Sequence, residues 1–272
     1  MPAAAATNPF THFQPATALY HPDNAVALAH ASRLAYQSAA DAAKVSAAWG
    51  FPHCRFIERR DTQGYVIAND KAIVVAFRGT EPDNLKDWMC DLDTQFVTTT
   101  LGLVHNGFYQ AVDRVWADLS SCIGEFQNKA QSIWVTGHSL GAALATVATA
   151  RWREADKPIN GLYSFGSPRV GDRVFERTFN QDFGMRAFRY VNNTDLVTRV
   201  PLRAMGFSHI GRCMSFDEKG AITVDPGVWS AFLNRMEGRI ADLGSMGLAD
   251  LKQHSIDTYV ALTLKNRAIN PF

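Results

Sequence analysis

The amino-acid sequence predicts an α/β fold with a mostly parallel central sheet flanked by helices. Three observations carry that expectation. From Phe108 onward, segments of helical period alternate with short β-rich runs, the pattern of parallel strands joined by crossover helices. Ahead of them, three β-rich runs separated by polar turns read as a meander that opens the sheet. Between a strand pattern and a helix pattern stands Gly137-His138-Ser139-Leu140-Gly141. Its Gly-x-Ser-x-Gly spacing fits a serine at the tip of a sharp strand-to-helix turn, where flanking backbones approach so closely that a Cβ would clash. A length of 272 residues and an apolar share of 47% suit one large domain with a substantial core.

Residues 1–18 read as a surface arm, and residues 19–272 as a single α/β domain. Asn24 to Gln37 and Ala39 to Trp49 have apolar residues at helical spacing. The period then changes: Arg55 to Arg60, Gly64 to Asn69 and Ala72 to Phe77 are the meander strands, joined by Asp61-Thr62-Gln63-Gly64 and Asn69-Asp70-Lys71. Leu85, Trp88, Met89, Leu92 and Phe96 form one apolar stripe of a short helix, with Lys86, Asp87, Asp91 and Asp93 opposite. Phe108 to Phe126 is helical, Ile133 to Thr136 a strand, and Leu140 to Glu154 an Ala-rich helix apolar enough to be buried. Gly161 to Phe165 is a strand, Asp172 to Phe183 a helix and Arg186 to Val191 a strand. A hairpin of His209 to Phe216 with Ala221 to Val224 follows, and then helices from Val228 to Ile240 and from about Gln253 to Lys265.

Composition excludes several function classes. The formal net charge is +1, and basic residues gather only in short pairs such as Arg59-Arg60, so nucleic acid and anionic membrane surfaces are not expected partners. No window approaches eighteen uninterrupted apolar residues, so no transmembrane anchor is expected. No Lys or Arg precedes Arg33, and Pro, Asn and Thr interrupt the first ten residues, which is unlike a secretory leader; the expectation is a soluble, cytoplasmic protein. Cys54, Cys90, Cys122 and Cys213 are widely spaced with no Cys-x-x-Cys, so neither a metal cluster nor a disulfide framework is expected, and no cofactor motif is present.

A serine hydroxyl becomes a competent nucleophile when a histidine takes its proton and an acid orients that histidine. After Ser139 only His209 and His254 remain. His209 opens a strand pattern, whereas His254 lies at the mouth of the last helix, where a base can reach across a sheet edge; His254 is preferred and His209 is the competitor. Among the acids, Asp195 lies in the loop at the carboxyl end of the strand ending at Val191, where functional groups cluster in open α/β sheets. Asp172 competes, but its place before a helical run fits an N-cap. Thr80, after the third meander strand, and Leu140, which opens the helix behind Ser139, are candidate backbone donors for an oxyanion. His138 is expected to point sideways from the serine, and His105 to be a packed loop residue.

Several separated blocks together resemble one family. They are Val75-Ala76-Phe77-Arg78-Gly79-Thr80, Asp87-Trp88 with Asp91-Leu92, Val104 to Phe108, Thr136 to Gly141, Phe165 to Gly171, Val191 to Pro201, and His254-Ser255. In this order, over roughly residues 70–265, they resemble the class 3 lipases, α/β-hydrolases typified by secreted filamentous-fungal triacylglycerol lipases and their bacterial relatives. The resemblance implies Ser139, Asp195 and His254 as a triad, Thr80 with Leu140 as oxyanion donors, and a short helical lid over the acyl site on which Leu85, Trp88, Met89 and Leu92 meet substrate. Asp91 is then placed to hold the Thr80 hydroxyl. The chain departs from the family pattern at Ala142, where Gly is frequent, and its first residues are not expected to serve as the leader of the secreted members. The expected activity is metal- and cofactor-free hydrolysis of carboxylic esters, foremost triacylglycerols at a lipid–water interface. A short-chain carboxylesterase, a phospholipase A1 or a galactolipase fits the same residues. From a different class, a catalytically silent fold that binds a lipid or a protein is the rival, and no residue here sets an oligomeric state.

Overall fold

A computed structural model describes residues 8–92, 94–192, 195–224 and 248–272. The strands are β1 (His53–Arg59), β2 (Thr62–Ala68), β3 (Ala72–Phe77), β4 (Phe96–Thr99), β5 (Gly102–His105), β6 (Ser132–His138), β7 (Gly161–Phe165), β8 (Ala187–Asn192), β9 (Arg212–Phe216) and β10 (Ile222–Thr223). The described helices are α1 (Pro22–Leu34), α2 (Ala39–Ala48), α3 (Leu85–Cys90), α4 (Asn106–Phe126), α5 (Leu140–Glu154), α6 (Arg173–Phe183), α7 (Leu248–His254) and α8 (Ile256–Lys265). The helix expected from Val228 to Ile240 lies outside the described residues.

Eight strands form one sheet in the order β1-β2-β3-β6-β7-β8-β9-β10. The meander β1-β2-β3 and the terminal β9-β10 hairpin are antiparallel, and every pair from β3 to β9 is parallel. Both faces are covered, which is why the central strands read as unbroken apolar runs rather than alternating ones. In β3, Ile73, Val75 and Phe77 face a core shared with α4, α5 and α6, while Ala72, Val74 and Ala76 face a second core shared with α1, α2 and α8. Among the described residues no helix is long and apolar enough to cross a membrane.

Four sequence expectations are corrected. The arm is packed from Asn8 onward: Phe10 is buried with its ring centroid 4.7 Å from Phe51, and Phe13 meets Trp134 edge-on at 5.3 Å. Two aromatic rings so close to the second core gain more by burial than a free arm could retain in chain entropy. The stripe helix stops at Cys90, and Phe96 instead begins β4, stacked on Phe207 with ring centroids 4.2 Å apart. The hairpin β4–β5 was not foreseen; it is stitched to the chain after β7, with His105 N donating to Val170 O at 2.9 Å and Asp172 N to Leu103 O at 2.9 Å. The last helix is broken at Ser255, whose extended backbone and hydroxyl cap α8 by accepting from Asp257 N. His254 is therefore the final residue of α7 rather than the opening of α8.

Candidate active site

The site grows from the end of β6. Ser139 has φ 58° and ψ −131°, a region that costs a non-glycine residue about 1–3 kcal/mol and persists only where neighbours over-determine it. Here they do. Ser139 N donates to Phe165 O at 3.0 Å, and Ala142 N donates to Ser139 O at 2.9 Å. A Cβ on Gly137 would overlap the Gly141 backbone, and one on Gly141 would reach Arg78 C at 2.9 Å. Both glycines are required because three backbone segments converge on the turn. Ser139 caps α5 without a side-chain hydrogen bond, so its Oγ is not committed to the helix.

Asp195 and His254 meet beyond the end of β8, two strands along the sheet from β6. Asp195 follows β8, is fully buried, and accepts from His254 Nδ1 at 2.8 Å, from Tyr259 Oη at 2.6 Å and from Val197 N at 2.9 Å. A carboxylate can only accept, so His254 carries its proton on Nδ1 and presents the Nε2 lone pair. The end of α7 is fixed beside it by Asn192 Nδ2, which donates to Gln253 O at 2.9 Å. Ser139 Oγ and His254 Nε2 are both buried, and neither makes a hydrogen bond. Gly166 links the two halves. It follows the carbonyl that receives Ser139 N, and a Cβ there would lie 2.9 Å from both Asp195 Oδ2 and His254 Cε1. With φ at +60°, Gly166 is the one residue type that passes under this pair without strain.

Thr80 stands in the loop after β3, half-buried, one residue past Gly79. A Cβ on Gly79 would come within 2.5 Å of His138 O and 3.1 Å of Ser139 Cβ, so this loop lies directly against the serine. No hydrogen bond joins Asp91 to Thr80 among the described residues. On the other flank, Leu85 and Met89 of α3 are buried against Val197 and Val200, the residues just after Asp195, with Trp88, Leu92 and Leu251 beside them.

The competing residues have other tasks. His209 donates from Nε2 to Thr198 O at 2.8 Å and is kept neutral, its pKa lowered well below the usual value by burial and then by the charges of Arg189, Arg169 and Arg203. Asp172 is the N-cap of α6, accepting from Phe175 N at 2.8 Å and from Leu103 N at 3.1 Å. His105 caps α4 by accepting from Phe108 N and stacks on the Phe108 ring. Sequence reasoning missed Tyr259 and gave Gly166 no role. Burial and then the Asp195 charge push the Tyr259 phenol well above its ordinary pKa, so it remains a donor to the carboxylate. In the sequence Tyr259 is one more core aromatic, whereas Gly166 between β7 and Ser167-Pro168 carried a usable signal for positive φ.

The family described as Lipase (class 3) matches residues 74–205. "Secreted mono- and diacylglycerol lipase A" of Penicillium cyclopium is 33% identical over 159 residues, 55% of this chain and 50% of the relative. "Phospholipase A1-II 4" of Oryza sativa subsp. japonica is 29% identical over 269 residues, 80% of this chain and 65% of the relative. Over these first matches the chain spans about half the length of the curated relatives. Among solved structures, a mutant form of MDLA from Penicillium cyclopium is similar with a TM-score of 0.64 and 25% identity, covering 85% of this chain and 93% of that one.

Proposed function

The chain belongs to the class 3 lipase family, and from that premise we propose that it is a serine carboxylic ester hydrolase, foremost a triacylglycerol lipase. One observation carries the reading: a strained, buried serine whose Oγ makes no hydrogen bond follows directly on His138, which is bonded to the backbone oxygen of His254, and His254 binds a buried carboxylate through Nδ1 while its Nε2 makes no hydrogen bond. The two uncommitted atoms are a hydroxyl and a base.

In this reading Ser139 Oγ attacks the ester carbonyl carbon while His254 Nε2 takes the hydroxyl proton. Asp195 stabilises the resulting imidazolium, and the carbonyl oxygen gathers negative charge toward the Leu140 amide at the N-terminal end of α5 and the Thr80 amide of the loop after β3. Collapse expels the alcohol with the proton from His254 and leaves an acyl-enzyme, which water cleaves by the same steps to release the fatty acid and restore Ser139. Each oxyanion donor contributes about 100- to 1,000-fold in rate. Helix α3 with the residues that follow it serves as the lid, Leu85, Trp88, Met89 and Leu92 meeting the acyl chain; an apolar flap seated beside Asp195 suits substrates presented at a lipid–water interface. The likeness to a protein named a phospholipase A1 supports a second reading, the same acyl chemistry on a phospholipid.

The test is turnover of p-nitrophenyl esters from short to long acyl chains, of emulsified triacylglycerol and of phospholipid vesicles, with wild type and Ser139→Ala. Long-chain and emulsion activity that falls by a factor on the order of a million in Ser139→Ala is expected. Phospholipid turnover alone moves the assignment to the second reading, and activity that survives Ser139→Ala defeats both.

A further inference from the structure

We infer that Tyr36 and His138 are positioning residues, a hydrogen-bonded relay that holds the oxyanion loop and the catalytic base in one frame. The inference rests on the ester-hydrolase reading above. Tyr36 lies two residues beyond α1, and His138 ends β6 immediately before Ser139. Three parts of the chain therefore converge: Tyr36 Oη is 2.9 Å from His138 Nδ1, and His138 Nε2 is 2.6 Å from the backbone oxygen of His254.

The direction of every bond in the relay follows from chemistry. A carbonyl oxygen only accepts, so the His138 proton sits on Nε2 and is donated to His254 O. Nδ1 is then a lone pair and receives the Tyr36 O–H. The phenol oxygen also packs directly against Gly79, the residue before Thr80. The relay thus runs from the phenol, seated against Gly79, through the imidazole to the carbonyl of His254. That carbonyl lies at the C-terminal end of α7, where backbone oxygens have no partner within the helix, and His138 supplies one.

The protonation states agree with this geometry. Burial and then the charge of His254 lower the His138 pKa well below the ordinary imidazole value, and burial raises that of Tyr36. A neutral His138 keeps the acceptor that Tyr36 requires. It also avoids a second cation beside His254 when that ring is protonated during acyl transfer, since the two ring centroids are 4.5 Å apart. Gly79 completes the fit, because a Cβ there would collide with the phenol oxygen.

The experiment compares Tyr36→Phe, His138→Leu, His138→Gln and the Tyr36→Phe/His138→Leu double variant with wild type, reading kcat and KM on a soluble ester together with Tm. Loss of the relay shifts the base or the oxyanion loop by a fraction of an ångström, so Tyr36→Phe and His138→Leu are expected to lose about 10- to 100-fold in kcat with KM within about twofold. The side-chain amide introduced by His138→Gln can donate an N–H to His254 O, and that variant is expected to recover most of the loss. The double variant is expected to be no worse than the weaker single variant, because both break one chain of bonds. Wild-type kcat in Tyr36→Phe overturns the inference, as do equal kcat values for His138→Leu and His138→Gln or losses that multiply in the double variant. If His138→Leu fails to fold, Tyr36→Phe, which deletes a single oxygen, decides. Ser139→Ala in the same assay separates the two levels: a dead Ser139→Ala with a fully active Tyr36→Phe removes the relay alone, whereas an active Ser139→Ala removes the ester-hydrolase reading.

Discussion

Asp195 accepts three hydrogen bonds with no exposure to solvent, and the shortest comes from Tyr259. Burying a carboxylate is costly unless donors replace the water it loses. Tyr259 does this while holding a second tie, accepting from Asn192 N at 3.0 Å, so one phenol joins the end of β8, the acid and α8. Tyr259→Phe keeps the ring in the core and removes both ties. Stability is expected to fall by about 1–3 kcal/mol, the usual cost of leaving a buried charged acceptor and an amide short of a partner. We expect kcat to fall about tenfold at nearly constant KM, because His254 is oriented through Asp195 and binding does not touch the phenol. Denaturant unfolding and steady-state kinetics on one preparation check both halves. A change confined to KM would place Tyr259 at the substrate instead.

Elements decide which acid serves which purpose. Asp172 and Asp195 both follow sheet strands, yet α6 begins one residue after Asp172 and takes its carboxylate as a cap, whereas the loop after β8 turns Asp195 back toward α7. Asp172→Ala is therefore expected to cost about 0.5–2 kcal/mol of stability, the usual worth of an N-cap, and to leave kcat within about twofold. Asp195→Asn is expected to fold and to lose on the order of 10⁴-fold in kcat, because the imidazole is then held in the wrong tautomer. Equal kinetic losses in the two variants would defeat the assignment. This contrast was legible in the sequence, since a strand pattern, a polar loop and a following helix period can be read locally, and the serine turn was legible for the same reason. The break at Ser255 was not. Leu251 to Lys265 keeps an apolar period across it, and no Gly or Pro marks the stop; only packing makes the Ser255 cap worth more than one more helical residue. The β4–β5 hairpin was hidden similarly, because the spacing from Leu85 to Phe96 fits a helix until Phe96 finds Phe207.

At the scale of the whole molecule, three imidazoles are kept neutral by the two cores and the loops over them. Burial, with the Arg33 charge second, lowers His30 to about 4, and burial also depresses His138 and His209 well below 6.5. In the unfolded chain the same residues titrate near 6.5. Unfolding at acid pH therefore takes up protons, and stability must rise with pH wherever the unfolded state binds more of them. The contribution is fully present above about 6.5 and declines as pH falls from there toward about 4, before most carboxylates have titrated. We expect Tm to be nearly level from about pH 7 to 8 and to drop steadily between about pH 6.5 and 4.5. The His138→Gln variant should show a shallower slope in that window, because one proton-linked group has been removed while its donor is retained. A level Tm across that window would mean that these rings are not held neutral in the folded protein, and with that the tautomer on which the Tyr36–His138 relay depends would fall.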